Sequence, residues 1–542
     1  MGTSRDTPAA RVARSLRQRM LRDGRRPRGT RLAVVSGCLL ASFALEPLPA
    51  ANAAAGTRDA MRAALGLEPC RPSGKGKDYE IGAPGKLASL DQVPWDKLAA
   101  GDTVRIHYRA EPYAGKFMLS ARGTAAAPVR VCGVPGPNGQ RPVISGRDAT
   151  TRKGLAYGHP LHQSRSIIVI KQLASEGWQA YPSHLQIDGL AIQGAHPRHG
   201  FTDSEGRRQR YDEFGACIWV ERGHGITIAD NEISDCSQAI FSKSTDDGPF
   251  AQTRDLRIAG NHMHGNGIAG NNRLHTTYVQ SVNVVYEFNH YGPLRAGARG
   301  NSIKDRSVGT VVRYNRIEDG ARALDLVEAE DFPLTARADP AYRTTYVYGN
   351  QIVKDGRKGS VIHYGGDHNG STPGADWGEP NNRKGTLYFY HNTVRVTGDG
   401  YAALFQLSTT EERADVRNNV FVFDATTHTP ILRADTDVGR AWVAGGIVTM
   451  GRNWITRGWR DTREGSRIGG ALQGREHLIM AGGTPVDPVT LRPRAGSPII
   501  DTAQPNAAAT RAHPVRYQLD ARAQPMPRPV KGAAPDLGAI EL

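Results

Sequence analysis

The densest concentration of chemically useful side chains in this 542-residue chain falls between His275 and Glu330. It reads "LHTTYVQ", with His275 and Tyr278, then "YEFNHY", with Glu287, Asn289 and His290, then "LRAGARGNSIKDR", with Arg299, Asn301, Lys304 and Arg306. The next segment, "RALDLVEAED", adds Arg322, Asp325, Glu328 and Glu330. A lysine serves as a base when neighbouring cations lower its pKa, and Arg299 and Arg306 are the candidate neighbours of Lys304. Tyr278 and His275 are candidate proton donors. Strand alternation decides which of these face outward. If Ile303 points into a core, Lys304 points out; in "ALDLVE", Leu324 and Leu326 point in, Asp325 and Val327 point out, and Glu328 closes the strand. A basic line then lies beside an acidic one, to serve either as a site or as a salt-bridge ladder that keeps one face soluble.

The elements that must hold these residues show in a repeat. An apolar residue, two variable residues, Asn, one variable residue and a second apolar residue recur as "IADNEI" (Asn231), "IAGNHM" (Asn261), "VRYNRI" (Asn315), "VYGNQI" (Asn350), "FYHNTV" (Asn392) and "VRNNVF" (Asn419), with a looser "YEFNHY" (Asn289). Each unit is too short for a helix and matches two strands meeting at a sharp corner. Asn tolerates the left-handed backbone of a corner, and its amide can pair with the Asn of the next turn. Stacked turns bury a narrow apolar column, which predicts an all-β, right-handed parallel β-helix. The composition agrees: 62 glycines and 7% aromatic residues disfavour a wide aromatic core.

Residues 100–146, short β-branched runs between Gly and Pro turns, resemble the entry coils of secreted pectate-lyase-like β-helix proteins. "AGSPIIDTA" and "APDLGAIE" near the C-terminus resemble their closing coils. The expected organisation is a signal peptide over 1–53, an N-terminal cap region over 54–98 with a helix at Thr57–Leu67 covering the open end, and the β-helix with loop insertions over 99–542. The signal reading rests on an arginine-rich start that supplies half of the net charge of +16, an apolar run, and small residues before about Ala53. It implies export to the periplasm or beyond. The apolar lead-in to Cys38 is too short for a good lipoprotein box, and no later apolar run is long enough to span a bilayer. Removal of the signal leaves Cys70, Cys132, Cys217 and Cys236, enough for one or two disulfides of open connectivity. No Cys-x-x-Cys or His-Glu-x-x-His motif marks a metal site.

A basic strip on a β-helix groove suits a polysaccharide of uronic acids. Breaking its bonds by β-elimination requires charge stabilisation at the carboxylate, removal of the C5 proton and protonation of the departing oxygen. Glu287, Asn289, His290, Asn301, Arg322, Asp325 and Glu328 are candidate substrate contacts. So are His363, Tyr364 and Trp377, from a polar Gly-rich insertion at residues 363–382 that is long enough to overhang a groove.

"NSIKDRSVGTVVRYNRIEDG" resembles the Lys-Ser-x-x-x-x-x-x-Arg-x-Asn phrase of the chondroitinase B and alginate lyase family, right-handed β-helices whose catalytic base is that Lys. The resemblance carries over to Lys304 alone. Where the family has a second basic residue, this chain has Val327 and Glu328; where it has calcium ligands, this chain has Gly297 and Arg299. The resemblance therefore implies a lyase in which Arg299 supplies positive charge directly and no cofactor is required, with calcium left as the alternative. The expected partner is an acidic polysaccharide, bound by a monomer, and not nucleic acid. The competing readings are a β-helix glycoside hydrolase, a C5-epimerase, and a non-catalytic glycan-binding β-helix.

Overall fold

The computed structural model describes residues 50–542 apart from 368–378, 425–429, 435–444, 467 and 482. The expected signal segment as far as Pro49, with Cys38, lies outside the described residues, and so does Trp377. Successive coils each lay one strand in each of three parallel sheets. One such coil runs Val282–Glu287, His290–Tyr291 and Ile303–Asp305, and the next begins at Val308–Arg313. The longest sheet, here called the first, contains 13 strands. In-register apolar residues stack into columns: Ile258, Tyr286, Val312, Val347 and Phe389 on the first sheet, and Met263, Tyr291, Ile317, Ile352 and Val394 on the second, all fully buried. This is the parallel β-helix that the repeat predicts.

The corner between the first and second sheets is set by the asparagines, with one change from expectation. The left-handed residue is the one before each Asn: Asp230, Gly260, Phe288, Tyr314, Gly349, His391 and Asn418 have φ between 50° and 66°. The Asn is the ladder. Asn315 Nδ2 donates to the Tyr286 carbonyl of the preceding coil at 2.9 Å and to Asn350 Oδ1 of the following one at 2.9 Å. Its Oδ1 accepts from the Asn289 backbone N–H at 3.0 Å. The same pattern joins Asn231, Asn261, Asn289, Asn350, Asn392, Asn419 and Asn453. A left-handed non-glycine residue costs about 1–2 kcal/mol. Several buried hydrogen bonds per Asn, each about 1 kcal/mol net and more costly if left unmade, offset that strain.

The N-terminal helix spans Ala50–Leu65, an alanine-rich segment that ends before Gly66 at φ 67°. Its contacts are with the flank of the solenoid. Arg58 and Arg62 bind the buried carboxylates of Asp230 and Asp188, and Met61 and Leu65 pack where Gly260 leaves room for them. The end coil is covered instead by Trp95, which stacks on Phe117 at 3.8 Å and donates to the Leu90 carbonyl at 2.8 Å. The C-terminal segment runs back along the same corner. Tyr390 and Tyr314 donate to the carbonyls of His513 and Pro514, Tyr517 packs edge-on against Phe288, and the short hairpin Tyr517–Leu519 with Pro525–Pro527 follows. The cysteines pair as Cys70–Cys132 and Cys217–Cys236, which suits an oxidising compartment. Among the described residues no helix is long and apolar enough to cross a membrane.

Candidate functional site

On the third sheet one residue of each short strand faces outward at the same height, and register aligns these residues in one line: Trp219, Phe241, Tyr278, Lys304, Asp325, His363 and Gln406. The line begins aromatic. Trp219 stacks on Phe241 at 3.9 Å, Phe241 meets Tyr278 edge-on at 5.3 Å, and Phe214 lies over all three. It then becomes charged. Lys304 Nζ donates to Asp325 Oδ2 at 2.7 Å and to Asp367, and His363 Nδ1 meets Asp325 Oδ1 at 2.7 Å.

The three consecutive charges of "KDR" divide by alternation. Asp305 turns inward, where Arg383 binds it at 2.9 Å and the hydroxyls of Tyr286 and Thr310 donate to it. Arg306 turns outward beside Lys304. Its Nη1 binds Glu328 at 3.0 Å, its Nη2 binds Asp367 at 2.9 Å, and its Nε lies 3.0 Å from the Tyr278 hydroxyl and 3.1 Å from Glu330. Lys304 and Arg306 therefore share one carboxylate, that of Asp367. Asp367 is 25% exposed and Glu330 30%, whereas Asp325 and Glu328 are at most 1% exposed. The accessible edge of the cluster thus carries two carboxylates, together with the Arg322 guanidinium at 26%.

Burial alone would raise the pKa of Asp325. The Lys304 charge, with Arg322 and the His363 N–H, outweighs burial and holds the group far below the usual carboxylate range. Burial and then Lys304 push His275 down to about 3, and its Nδ1 accepts the Asn301 backbone N–H at 2.9 Å. At neutral pH His275 is thus a neutral imidazole that accepts at Nδ1. Burial raises Tyr278 well above 10 against the opposing pull of Arg306, so its phenol keeps its proton, donated to Glu330 at 2.6 Å.

The structure brings Lys304, Arg306, Tyr278, His275, Asn301, Arg322, Asp325, Glu328 and His363 together. Asn301 Nδ2 donates to Asp325 Oδ2 at 2.7 Å, and Arg322 reaches the Gln406 amide oxygen at 3.2 Å. Glu328 is sealed beneath Arg306 and positions it. Other residues lie elsewhere. Glu287 is on the first sheet, bound by Arg257 and Arg313; Asn289 is a fully engaged ladder residue; His290 is on the second sheet. They follow one another in sequence within a coil that turns through three faces, so nearness along the chain does not place them on the third. Tyr364 points into the core between Leu326 and Leu407. Arg299 is exposed in the loop before the Lys304 strand and is not among the partners of Lys304, and the cations that share carboxylates with Lys304 are Arg306, on Asp367, and Arg322, on Asp325. Sequence reasoning passed over Gln406 and Ser408; Ser408 Oγ lies 3.2 Å from His363 Nε2. Their signal is a pair of polar residues alternating with leucines in "LFQLS".

Fold and site together define a parallel β-helix with a buried ion-pair cluster on one outer face. No protein-family model and no curated protein matches the chain. Among solved structures it is similar to a GH136 lacto-N-biosidase from Eubacterium ramulus, with 14% identity over 70% of this chain and 68% of that one and a TM-score of 0.38. It is also similar to a mutant of the PL6 family alginate lyase AlyGC, with 10% identity over 75% and 53% of the two chains and a TM-score of 0.39. A third, the PL6 family polysaccharide lyase Pedsa3628 from Pseudopedobacter saltans, gives 10% identity, 76% and 94% coverage and a TM-score of 0.32.

Proposed function

We propose that the protein is an exported, glycan-active β-helix enzyme that cleaves a uronic-acid polysaccharide by β-elimination. The observation that carries this reading is the pair Lys304 and Arg306, two residues apart on one strand face, both donating to the Asp367 carboxylate at a partly exposed edge. Two cations converging on one carboxylate form a receptor for a uronate, and Asp367 occupies the position its carboxylate would take. When substrate replaces Asp367, Arg306 stabilises the charge that develops on the uronate as the C5 proton leaves. Lys304 acts as the base once its ammonium proton has passed to solvent, the resulting amine taking the C5 proton. Tyr278, one strand away and hydrogen-bonded to Arg306, is the group placed to protonate the departing oxygen. His363 and Asn301 fix Asp325, which fixes Lys304. The reading requires neither a cofactor nor calcium.

Hydrolysis is the second reading. It is favoured by two partly exposed carboxylates, Asp367 and Glu330, held on one guanidinium, since hydrolysis uses a carboxylate pair. Incubation with alginate, pectate, chondroitin, hyaluronan and heparin separates the two. Ultraviolet absorbance of an unsaturated product supports elimination; reducing ends without that absorbance support hydrolysis. Retardation of the protein by a polymer without either product leaves a binding protein.

A further inference from the structure

A second group of chemically capable side chains lies on the second sheet, a different face from Lys304. Glu232 and His262 are register partners on adjacent strands, and His290 partners His262 on the next coil. His264 stands two residues beyond His262 on the same strand face. One ligand atom each from Glu232, His262 and His264 lie within 4.8 Å of one another. His264 Nε2 is 3.3 Å from Glu232 Oε1. The His262 ring lies 4.5 Å from the His264 ring and is stacked at 4.7 Å on that of His290. His290 faces Glu318 at 3.4 Å, and a plain His264–Glu232 hydrogen bond would account for two more of these residues but leaves His262 unexplained.

The space in front of the cluster is kept open. A Cβ on Gly292, directly after the His290–Tyr291 strand, would come within 3.1 Å of His264 Cβ and 3.5 Å of His262 Nε2. A cleft of about 280 Å³ opens alongside, lined by His262, His290 and Phe288 from the solenoid, Arg58 from the N-terminal helix and Gln524 from the C-terminal hairpin. The neighbouring guanidinium groups of Arg58 and Arg141 are engaged by Asp230, at 3.1 Å and 2.6 Å, and are not directed at the imidazoles.

We propose that Glu232, His262 and His264 bind a divalent transition-metal cation of the zinc class. Two imidazoles and one carboxylate suit zinc, nickel or copper, whereas calcium and magnesium select all-oxygen shells. The ion joins the coil that carries Glu232 to the coil that carries His262 and His264, and His290 or water fills the remaining position. Such a site pins two coils together and is independent of elimination chemistry at Lys304.

The test is calorimetric titration of the full chain, freed of metal by a chelator, with zinc chloride. The expected result is saturable binding of one equivalent, with calcium chloride giving no comparable binding. Glu232→Gln, which keeps the shape of the side chain, and the double variant His262→Ala/His264→Ala should each weaken zinc binding at least about tenfold. Cobalt added in place of zinc should give a visible absorption band that the double variant lacks. Failure of the parent chain to bind zinc, tighter binding of calcium than zinc, or unchanged zinc affinity in both variants would overturn the proposal.

Discussion

Lys304 and Asp325 occupy the same register position on adjacent strands of the third sheet, and the lysine ammonium group donates to Asp325 Oδ2 at 2.7 Å. Both side chains are nearly inaccessible to solvent. Replacing a buried ion pair by apolar groups is often neutral or stabilising, so stability alone is a weak reason to keep this one. Its placement beside a partly exposed carboxylate and a phenol is what the proposed elimination draws on.

Lys304→Ala is expected to lower turnover of the responsive polysaccharide by about a thousandfold, within the range that a general base contributes. The far-ultraviolet circular dichroism of the variant should retain the β-helix signature. An assay of initial rates on the same polymer checks this, and a variant with parental activity removes Lys304 from the mechanism.

Asp367→Ala removes the internal carboxylate from Lys304 and Arg306. A competitor for the substrate carboxylate is then gone, so KM for the acidic polymer should fall severalfold. Steady-state kinetics of parent and variant decide this. A raised KM would mean that Asp367 contacts substrate itself.

Stability should carry a signature of His275. Its folded pKa is about 3 against an ordinary 6.5, so between those values the unfolded chain takes up a proton that the folded chain refuses. The contribution of this group is complete above about pH 6.5 and is lost as pH falls toward 3, at about 1.4 kcal/mol per pH unit. Urea unfolding midpoints at several pH values between 6 and 4 should fall less steeply for His275→Asn, whose amide oxygen can replace the Nδ1 acceptor. Equal slopes in parent and variant would contradict the assignment.

Asn315→Ala deletes one rung of the corner ladder. The Tyr286 carbonyl and the Asn289 N–H lose their partners inside the protein, which should destabilise it by about 2–4 kcal/mol. Denaturant unfolding measures this. The same substitution at exposed Asn272 provides the comparison and should cost much less.

The fold was legible because the corner repeats chemically: each turn needs an amide that both donates and accepts, and only Asn recurs at the spacing. Even so, the left-handed residue was assigned one position too late, since periodicity marks the corner without resolving its dihedrals. The phrase also occurs around Asn453, in residues 450–455, within a stretch whose other strands carry too little pattern to anchor it. At the site, alternation placed Lys304 outward beside Asp325 or Glu328, without deciding that Asp325 is its partner and Glu328 that of Arg306. It could not show that Asp367 returns to bridge Lys304 and Arg306, because that depends on how the chain folds back after Tyr364. Nor could it separate Glu287 and His290 from Lys304, because the corner between them rotates the chain to another face.

The C-terminal segment that hydrogen-bonds to Tyr390 and Tyr314 and packs on Phe288 has a bearing on how the molecule comes apart. In a bare solenoid each turn touches only its neighbours, so end turns peel away one at a time. Here a lengthwise strap, held also by the Asn418 side chain on the Gln504 carbonyl, ties turns that are far apart to one another. Opening a single turn strains contacts many residues away, which converts gradual fraying into an all-or-none transition and leaves a secreted protease few partly open forms to attack.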